Sequence, residues 1–272
     1  MTDLSPQVMS VPGRLGVTAR FADGVLILEL APAPETLHHG VVRASVLSFA
    51  IDAVAGIVLD QDPDSWTFTS DMTVRMRPVA APVRIDAVNT IVRRGRRSAT
   101  CRVDLTAEDG SPVATGAVGF VTVPRREGDP PKPVLSPEEA PEVFGGLGRL
   151  AGPLRHEAGI EVVDASEGIV EVQVTPAIRN PAGTLQGAMV ALVAEAATED
   201  LVSTRFGVPV VVTDLDLRYL GQARVGPVRT RTRLLGDDAG SPVQIELIDR
   251  SSDTVTTLVY ARAVVVPGAA AG

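Results

Sequence analysis

The amino-acid sequence predicts an α+β fold in which one architectural unit is built twice, and three observations carry the prediction. Asp52 in VVRASVLSFAIDAVAGIVL and Glu195 in TLQGAMVALVAEAATEDLV stand 143 positions apart, and the same interval relates Gly16 to Gly159, Gly40 to Gly183, Ser70 to Thr213, Arg75 to Arg218 and Pro124 to Pro267. A period this long is duplication of a whole domain, not a stack of short repeats. Each half then reads as strand, one long apolar stretch, and a run of alternating β-branched segments, the signature of an antiparallel sheet with a helix on one face. The apolar stretch is hydrophobic almost all round (Val46, Leu47, Phe49, Ala50, Ile51, Val54 and Ile57; Met189, Val190, Leu192, Val193 and Ala194), so the helix must be wrapped by sheet.

In order, residues 1–13 are expected to be a flexible N-terminus and 14–124 the first domain. There, GVTARFADGVLILEL is strand-like, APAPETLHHG is a turn, and Val41 to Leu59 is the helix. The segments WTFTSDMTVRMR, PVRIDAVNTIVRR, SATCRVDLTAED and PVATGAVGFVTV follow as strands, separated by Pro-rich or Gly-containing turns. Residues 125–148, rich in proline and charge and without sustained alternation, read as a linker. The second domain, 149–267, repeats the order: GIEVVDASEGIVEVQV, a helix from about Thr184 to Arg205, then VVVTDLDLRYL, VRTRTRLLGD, SPVQIELIDR and TVTTLVYARAVVV. Residues 268–272 are a flexible tail.

Composition limits the function. A 272-residue chain that is 45% apolar has material for two packed cores. A net charge of −8 argues against a nucleic-acid partner. No apolar run approaches the roughly 18 residues a bilayer requires, and the start has neither a basic nor an apolar signal region, so a cytoplasmic protein without a membrane partner is expected. The single Cys101 cannot form an internal disulfide and reads as core. His38 and His39 read as turn residues, with no downstream ligand at metal spacing, and neither a metal nor a cofactor is expected. The one basic cluster, Arg93 to Arg97 (RRGRR), is a solvated hairpin turn around Gly95 or, in its Arg96 and Arg97, a landing site for a phosphorylated ligand.

A long buried helix swaddled by a curved antiparallel sheet, doubled in one chain, resembles the hotdog fold, and the motifs resemble the phenylacetate-pathway (PaaI-like) acyl-CoA thioesterases in tandem double-hotdog form. That family places an Asn before a Gly, a His-Gly-Gly at the helix start, an acid nine positions after the His and a Ser or Thr eighteen after the acid. The second half matches with Asn180, Gly183, Gln186-Gly187-Ala188, Glu195 and Thr213; the first with Leu37, Gly40, Arg43-Ala44-Ser45, Asp52 and Ser70. Both depart from His-Gly-Gly. The resemblance implies a double hotdog, two curved sheets each around one central helix and joined edge to edge, with composite sites between the helices. One site would join Asn180, Gln186 and Gly187 to Asp52 and Ser70. The other, degenerate, would join Arg43 to Glu195 and Thr213.

The chemistry fits that partition. Thioester hydrolysis needs a base or nucleophile and donors where the carbonyl oxygen becomes negative. Gly187, in the first turn of a helix, offers a free N–H and close approach. Asp52, on an otherwise apolar helix, is the candidate base or nucleophile, and Ser70 the hydroxyl that orients it. Asp52 paired with Arg43, Asn180 turning the chain before Pro181, and Gln186 capping the helix are the structural readings of the same residues. The expected enzyme is an acyl-CoA thioesterase without cofactor, its partner the acyl-CoA substrate; a homodimer of such chains is compatible. The alternative is a non-catalytic acyl-CoA or lipid-like ligand binder. A dehydratase or hydratase is disfavoured, since no His follows Asp52 within ninety residues.

Overall fold

A computed structural model describes residues 10–266. The first repeat comprises β1 (Val17–Ala22), β2 (Val25–Leu30), a short hairpin of β3 (Leu37–His38) and β4 (Val41–Val42), helix α1 (Ala44–Leu59), β5 (Ser65–Met76), β6 (Ile85–Arg94), β7 (Ser98–Ala107) and β8 (Pro112–Pro124). Two short helices follow, α2 (Ala140–Gly145) and α3 (Leu154–Glu157). The second repeat comprises β9 (Ile160–Asp164), β10 (Ile169–Val172), helix α4 (Gly187–Phe206), β11 (Val210–Tyr219), β12 (Val228–Leu234), β13 (Val243–Asp249) and β14 (Thr254–Val265). Among the described residues no helix is long and apolar enough to cross a membrane.

Local chemistry explains the boundaries. β1 and β2 meet through Asp23-Gly24, both at positive φ (52° and 75°), the two-residue turn whose twist matches a hairpin. The long helices begin at equivalent positions, Ala44 and Gly187, but end differently. After α1 the chain meets Asp62-Pro63, which cannot continue a helix. α4 runs a turn further to Gly207, whose left-handed φ of 66° closes it with an N–H to the Ser203 carbonyl.

The strand order is β1-β2-β6-β7-β8-β5-β11-β14-β13-β12-β10-β9, antiparallel throughout. The expectation of two sheets becomes one continuous twelve-stranded sheet, because β5 and β11 hydrogen-bond along the junction from Asp214↔Arg75 to Arg218↔Asp71. α1 lies against β2, β5, β6, β7 and β8, and α4 against β10, β11, β12, β13 and β14. Five strands about 4.8 Å apart would spread over about 19 Å if flat, more than the width of a helix at about 10 Å; contact with all five means that the sheet curves around it. A Cβ on Gly116 would lie 2.5 Å from the Ile51 side chain, so α1 presses directly on bare backbone of β8. α1 and α4 also pack against each other, which brings the two repeats' acids into one interior.

Of the ends expected to be loose, only residues 10–13 lie among the described residues, and they are docked. Residues 1–9 and 267–272 lie outside the described residues, and with them the expected tail. At 10–13, however, Val11 is fully buried and its N–H donates to the Ala177 carbonyl (2.7 Å). The stretch between the repeats is also pinned. The Lys132 ammonium donates to Asp60 Oδ1 and to the Asp62 and Ser65 carbonyls (2.7, 2.6 and 2.7 Å), and Ala140 and Phe144 of α2 are buried. Its apolar residues are too sparse to show a period, yet each has somewhere to go.

Candidate active site

The two composite sites anticipated between the repeats differ in kind. The first opens onto a cavity of about 480 Å³ lined by Asp52, Thr69, Ser70, Asn180, Gln186, Gly187 and Tyr219 among others. Asp52 projects from the middle of α1; its Oδ1 accepts the Thr69 hydroxyl at 2.5 Å. Burial raises its carboxyl to about 6, and the Thr69 hydrogen bond opposes the shift by favouring the ionised form. A carboxylate of that pKa is ionised at neutral pH yet basic enough to take a proton.

Opposite Asp52 stands the start of α4. Gln186 is the N-cap, and its Oε1 accepts from the N–H groups of Ala188 and Met189 (2.6 and 3.3 Å). Sequence reasoning held a cap and a site role open; the geometry shows the cap. Its consequence is selective. The second and third amides of the helix are satisfied, while the first, Gly187 N–H, donates to no protein atom among the described residues. A Cβ on Gly187 would stand 3.7 Å from Asp52 Oδ2 and 3.3 Å from the Tyr219 hydroxyl, so carboxylate and phenol converge beside the residue that carries the free amide. Tyr219 donates to the Gly187 carbonyl (3.2 Å). Burial, with Asp52 adding to it, holds the phenol well above its ordinary pKa, so it remains protonated.

Several assignments change. Ser70 does not orient Asp52: its hydroxyl donates to Asp71 Oδ2 (2.8 Å), and Thr69 takes the role. The β5–β8 register slips between Thr69 and Asp71, and this bulge turns the side chains by one position. The equivalent slip at Val212/Asp214 likewise sends the Thr213 hydroxyl to Asp214 Oδ2 (2.8 Å), not to Glu195. Asn180 lines the cavity, but its Oδ1 accepts the Thr184 N–H (3.0 Å) and holds the 180–184 turn. Arg96 and Arg97 lie exposed in the β6–β7 hairpin outside the cavity lining. Gly95 there has no left-handed φ; its N–H donates to the Ser98 carbonyl (2.8 Å). The Arg97 carbonyl accepts from Thr122, next to cavity-lining Val121. Arg75, a landmark of the repeat, pairs with Asp214 and Asp216 across the β5–β11 junction (3.2 and 2.8 Å).

The second site is filled by its own charges. Glu195, 1% exposed, accepts the Ala44 N–H (2.7 Å) and the Ser45 hydroxyl (2.5 Å). Ala44 is the counterpart of Gly187, so the amide left free in one site is consumed by the carboxylate in the other. Arg43, the counterpart of Gln186, donates from Nη1 to both carboxylate oxygens of Glu199 (3.0 and 2.9 Å) and reaches Glu195 at 3.7 Å, not Asp52. Burial works against the Arg43 charge, but Glu199 and Glu195 more than offset it and its pKa is raised. Burial raises Glu199 to about 8, against the pull of Arg43 and with Glu195 adding to the rise. His38, on a hairpin whose turn is His39-Gly40 (φ 49° and 77°), stacks into this cluster: its Nδ1 accepts from Arg43 (3.3 Å). Burial, with Arg43, His39 and Arg155, lowers it to about 3, so it is neutral.

Thr69, Tyr219, Ser45, Glu199 and His38 were not singled out as site residues by sequence. Only His38 and Tyr219 carried a signal: one stands in a His-His pair, the other is one of two tyrosines in the chain.

No protein-family model matches the sequence, and no curated protein matches it. Solved structures do resemble the fold. An acyl-ACP thioesterase from Bacteroides thetaiotaomicron superposes with a TM-score of 0.61 at 10% identity, covering 88% of this chain and 98% of that one. The tesB protein of Mycobacterium avium subs paratuberculosis gives 0.61 at 12% identity, covering 94% and 98%. A hot dog fold protein of unknown function from Alicyclobacillus acidocaldarius gives 0.58 at 12% identity, covering 94% and 97%. At such identities the likeness shows the hotdog fold, and not the chemistry.

Proposed function

We propose that this chain hydrolyses acyl-CoA thioesters to a free acid and CoA, at the Asp52 site between the two repeats. The observation that carries the reading is the free Gly187 N–H at the start of α4, set against a buried carboxylate across an apolar cavity. The thioester carbonyl oxygen lies toward Gly187 N–H, where the helix dipole favours developing negative charge. Asp52, held by Thr69, accepts a proton from water as the water oxygen bonds to the carbonyl carbon. The tetrahedral oxyanion is stabilised by Gly187; when it collapses the C–S bond breaks, the thiolate leaves, and the proton on Asp52 returns to sulfur or solvent. Tyr219 holds the Gly187 carbonyl, one peptide past the free N–H, and so steadies the helix start. That the structural neighbours include an acyl-ACP thioesterase supports thioester chemistry on this scaffold.

The test is release of CoA thiol from a panel of acyl-CoAs by the wild-type protein and by Asp52→Asn. Hydrolysis by the first and its loss in the second is the expected result. Binding of acyl-CoA without thiol release would leave a ligand-binding protein on the same scaffold, and full activity in Asp52→Asn would overturn the site.

A further inference from the structure

The cavity is not walled by the two repeats alone. Pro133, Leu135, Val143, Phe144 and Leu147, all from the stretch between the repeats, line it together with Asp52 and Gly187. This wall is built, not draped. Lys132 is anchored to Asp60 just beyond α1, Gln61 Nε2 donates to the Leu135 carbonyl (2.9 Å), and Phe144 is 7% exposed on α2, which packs on β1. Its position along the cavity follows from α1. The lining residues Phe49, Asp52, Gly56, Ile57 and Asp60 run down one side of the helix, and Asp60 lies eight residues past Asp52, about 12 Å of helical rise. Leu135, tied to Gln61, therefore closes the end remote from the carboxylate, and the surface between is apolar, with Trp66 and Phe68 stacked at 5.9 Å.

We propose that this inter-repeat stretch, chiefly Phe144 and Leu147, is the gauge that sets which acyl groups the cavity admits, and that the group it admits is an apolar acyl chain of medium length. The inference rests on the thioesterase reading for the word acyl, but not on turnover. At roughly 30 Å³ per methylene-sized group, the volume share of a water molecule, a 480 Å³ cavity holds about 16 such groups. With the thioester and its approach inside, about 8 to 12 carbons remain for the chain. Neither residue touches Asp52, Thr69 or the start of α4 in any hydrogen bond, so they act on fit and not on the reacting atoms.

The experiment is a chain-length series, hexanoyl-CoA to hexadecanoyl-CoA, with wild type, Phe144→Ala and Leu147→Phe. Trimming the wall should shift preference toward longer chains and enlarging it toward shorter ones, changing the dodecanoyl-to-hexanoyl ratio of kcat/KM about tenfold in opposite directions. Affinity for the same series is read in parallel from the fluorescence of Trp66, the chain's single tryptophan, which lines the cavity. If wild type releases no thiol but the variants still move the affinity profile in opposite directions, hydrolysis fails and the gauge stands. If wild type hydrolyses and both variants keep its profile within twofold, the gauge fails and hydrolysis stands. Absence of binding across the series overturns both. Should Phe144→Ala not fold, Leu147→Phe decides alone.

Discussion

The Asp52 and Glu195 sites began as the same design and now do opposite things with the same groups. In one, a carboxylate faces a free helix-start amide across a cavity; in the other, the carboxylate has accepted that amide and is buried. What separates them is the residue before the helix. Gln186 folds back to cap its own helix and leaves Gly187 available, whereas Arg43 reaches into the interior and draws Glu195 and Glu199 around it. A buried cation costs several kcal/mol in desolvation unless its partners are close, so once Arg43 stands there the site must close upon it. A catalytic site keeps donors unsatisfied and a structural one satisfies them.

The contrast can be broken by exchange of roles. Asp52→Asn should lower kcat/KM by about two to four powers of ten, while Glu195→Gln leaves most of the thiol release in place; a dead Glu195→Gln with a normal fold would reverse the assignment. Thermal melts should rank the variants the other way. Arg43→Met leaves buried carboxylates without their cation and should cost about 3–5 kcal/mol, whereas Asp52→Asn, which removes a half-buried acid whose charge desolvation opposes, should leave the melting temperature unchanged or higher.

pH separates the two sites further. Activity should rise through about pH 6 as Asp52 ionises and stay high above it. Stability should move the other way. The folded-state pKa of Glu199 lies above its unfolded value, so the folded chain holds the extra proton; the contribution of Glu199 to stability is fullest below about pH 4.5 and declines as pH rises toward about 8. Glu199→Gln should flatten that decline in denaturant melts followed across pH, and a slope unchanged by the substitution would remove Glu199 as its source.

The smallest effects sharpen the site's inner detail. Thr69→Val should lower activity by about tenfold, the scale of one lost charged hydrogen bond, and move the rising limb to higher pH because the hydrogen bond that favours the ionised form is gone. Ser70→Ala should do neither. Arg96→Ala with Arg97→Ala should weaken a full acyl-CoA modestly and salt-dependently, leaving a truncated thioester without the nucleotide unaffected; equal effects on both substrates would make RRGRR a hairpin only.

The fold was legible because a 143-residue interval survives even where residue types differ, and because a helix apolar on every side admits few environments. Of the site, the residues read correctly as facing one another, Asp52 and Gly187, lie on helices, where spacing fixes direction. Those misread, Ser70 and Thr213, lie at bulges in strands, where one extra residue reverses a side chain without leaving a mark in the pattern. The Arg43 cluster was half visible. The pairing of Arg43 with Glu195 follows from composite geometry, but Glu199, a turn further along α4, has only Gly56 as its counterpart and so no repeat to betray it.

The β5–β11 junction bears on stoichiometry. In a symmetric dimer of identical chains every substitution appears on both sides of the axis, so a Gln that builds one site would build the other, and an Arg that seals one would seal both. Here the same edge-to-edge pairing is made within one covalent chain, and the two halves are free to differ at each position. On the proposed reading one pseudo-equivalent locus serves anchoring and the other turnover, and titration with a non-hydrolysable acyl-CoA analogue should count one bound ligand per polypeptide, where the architecture alone would allow two.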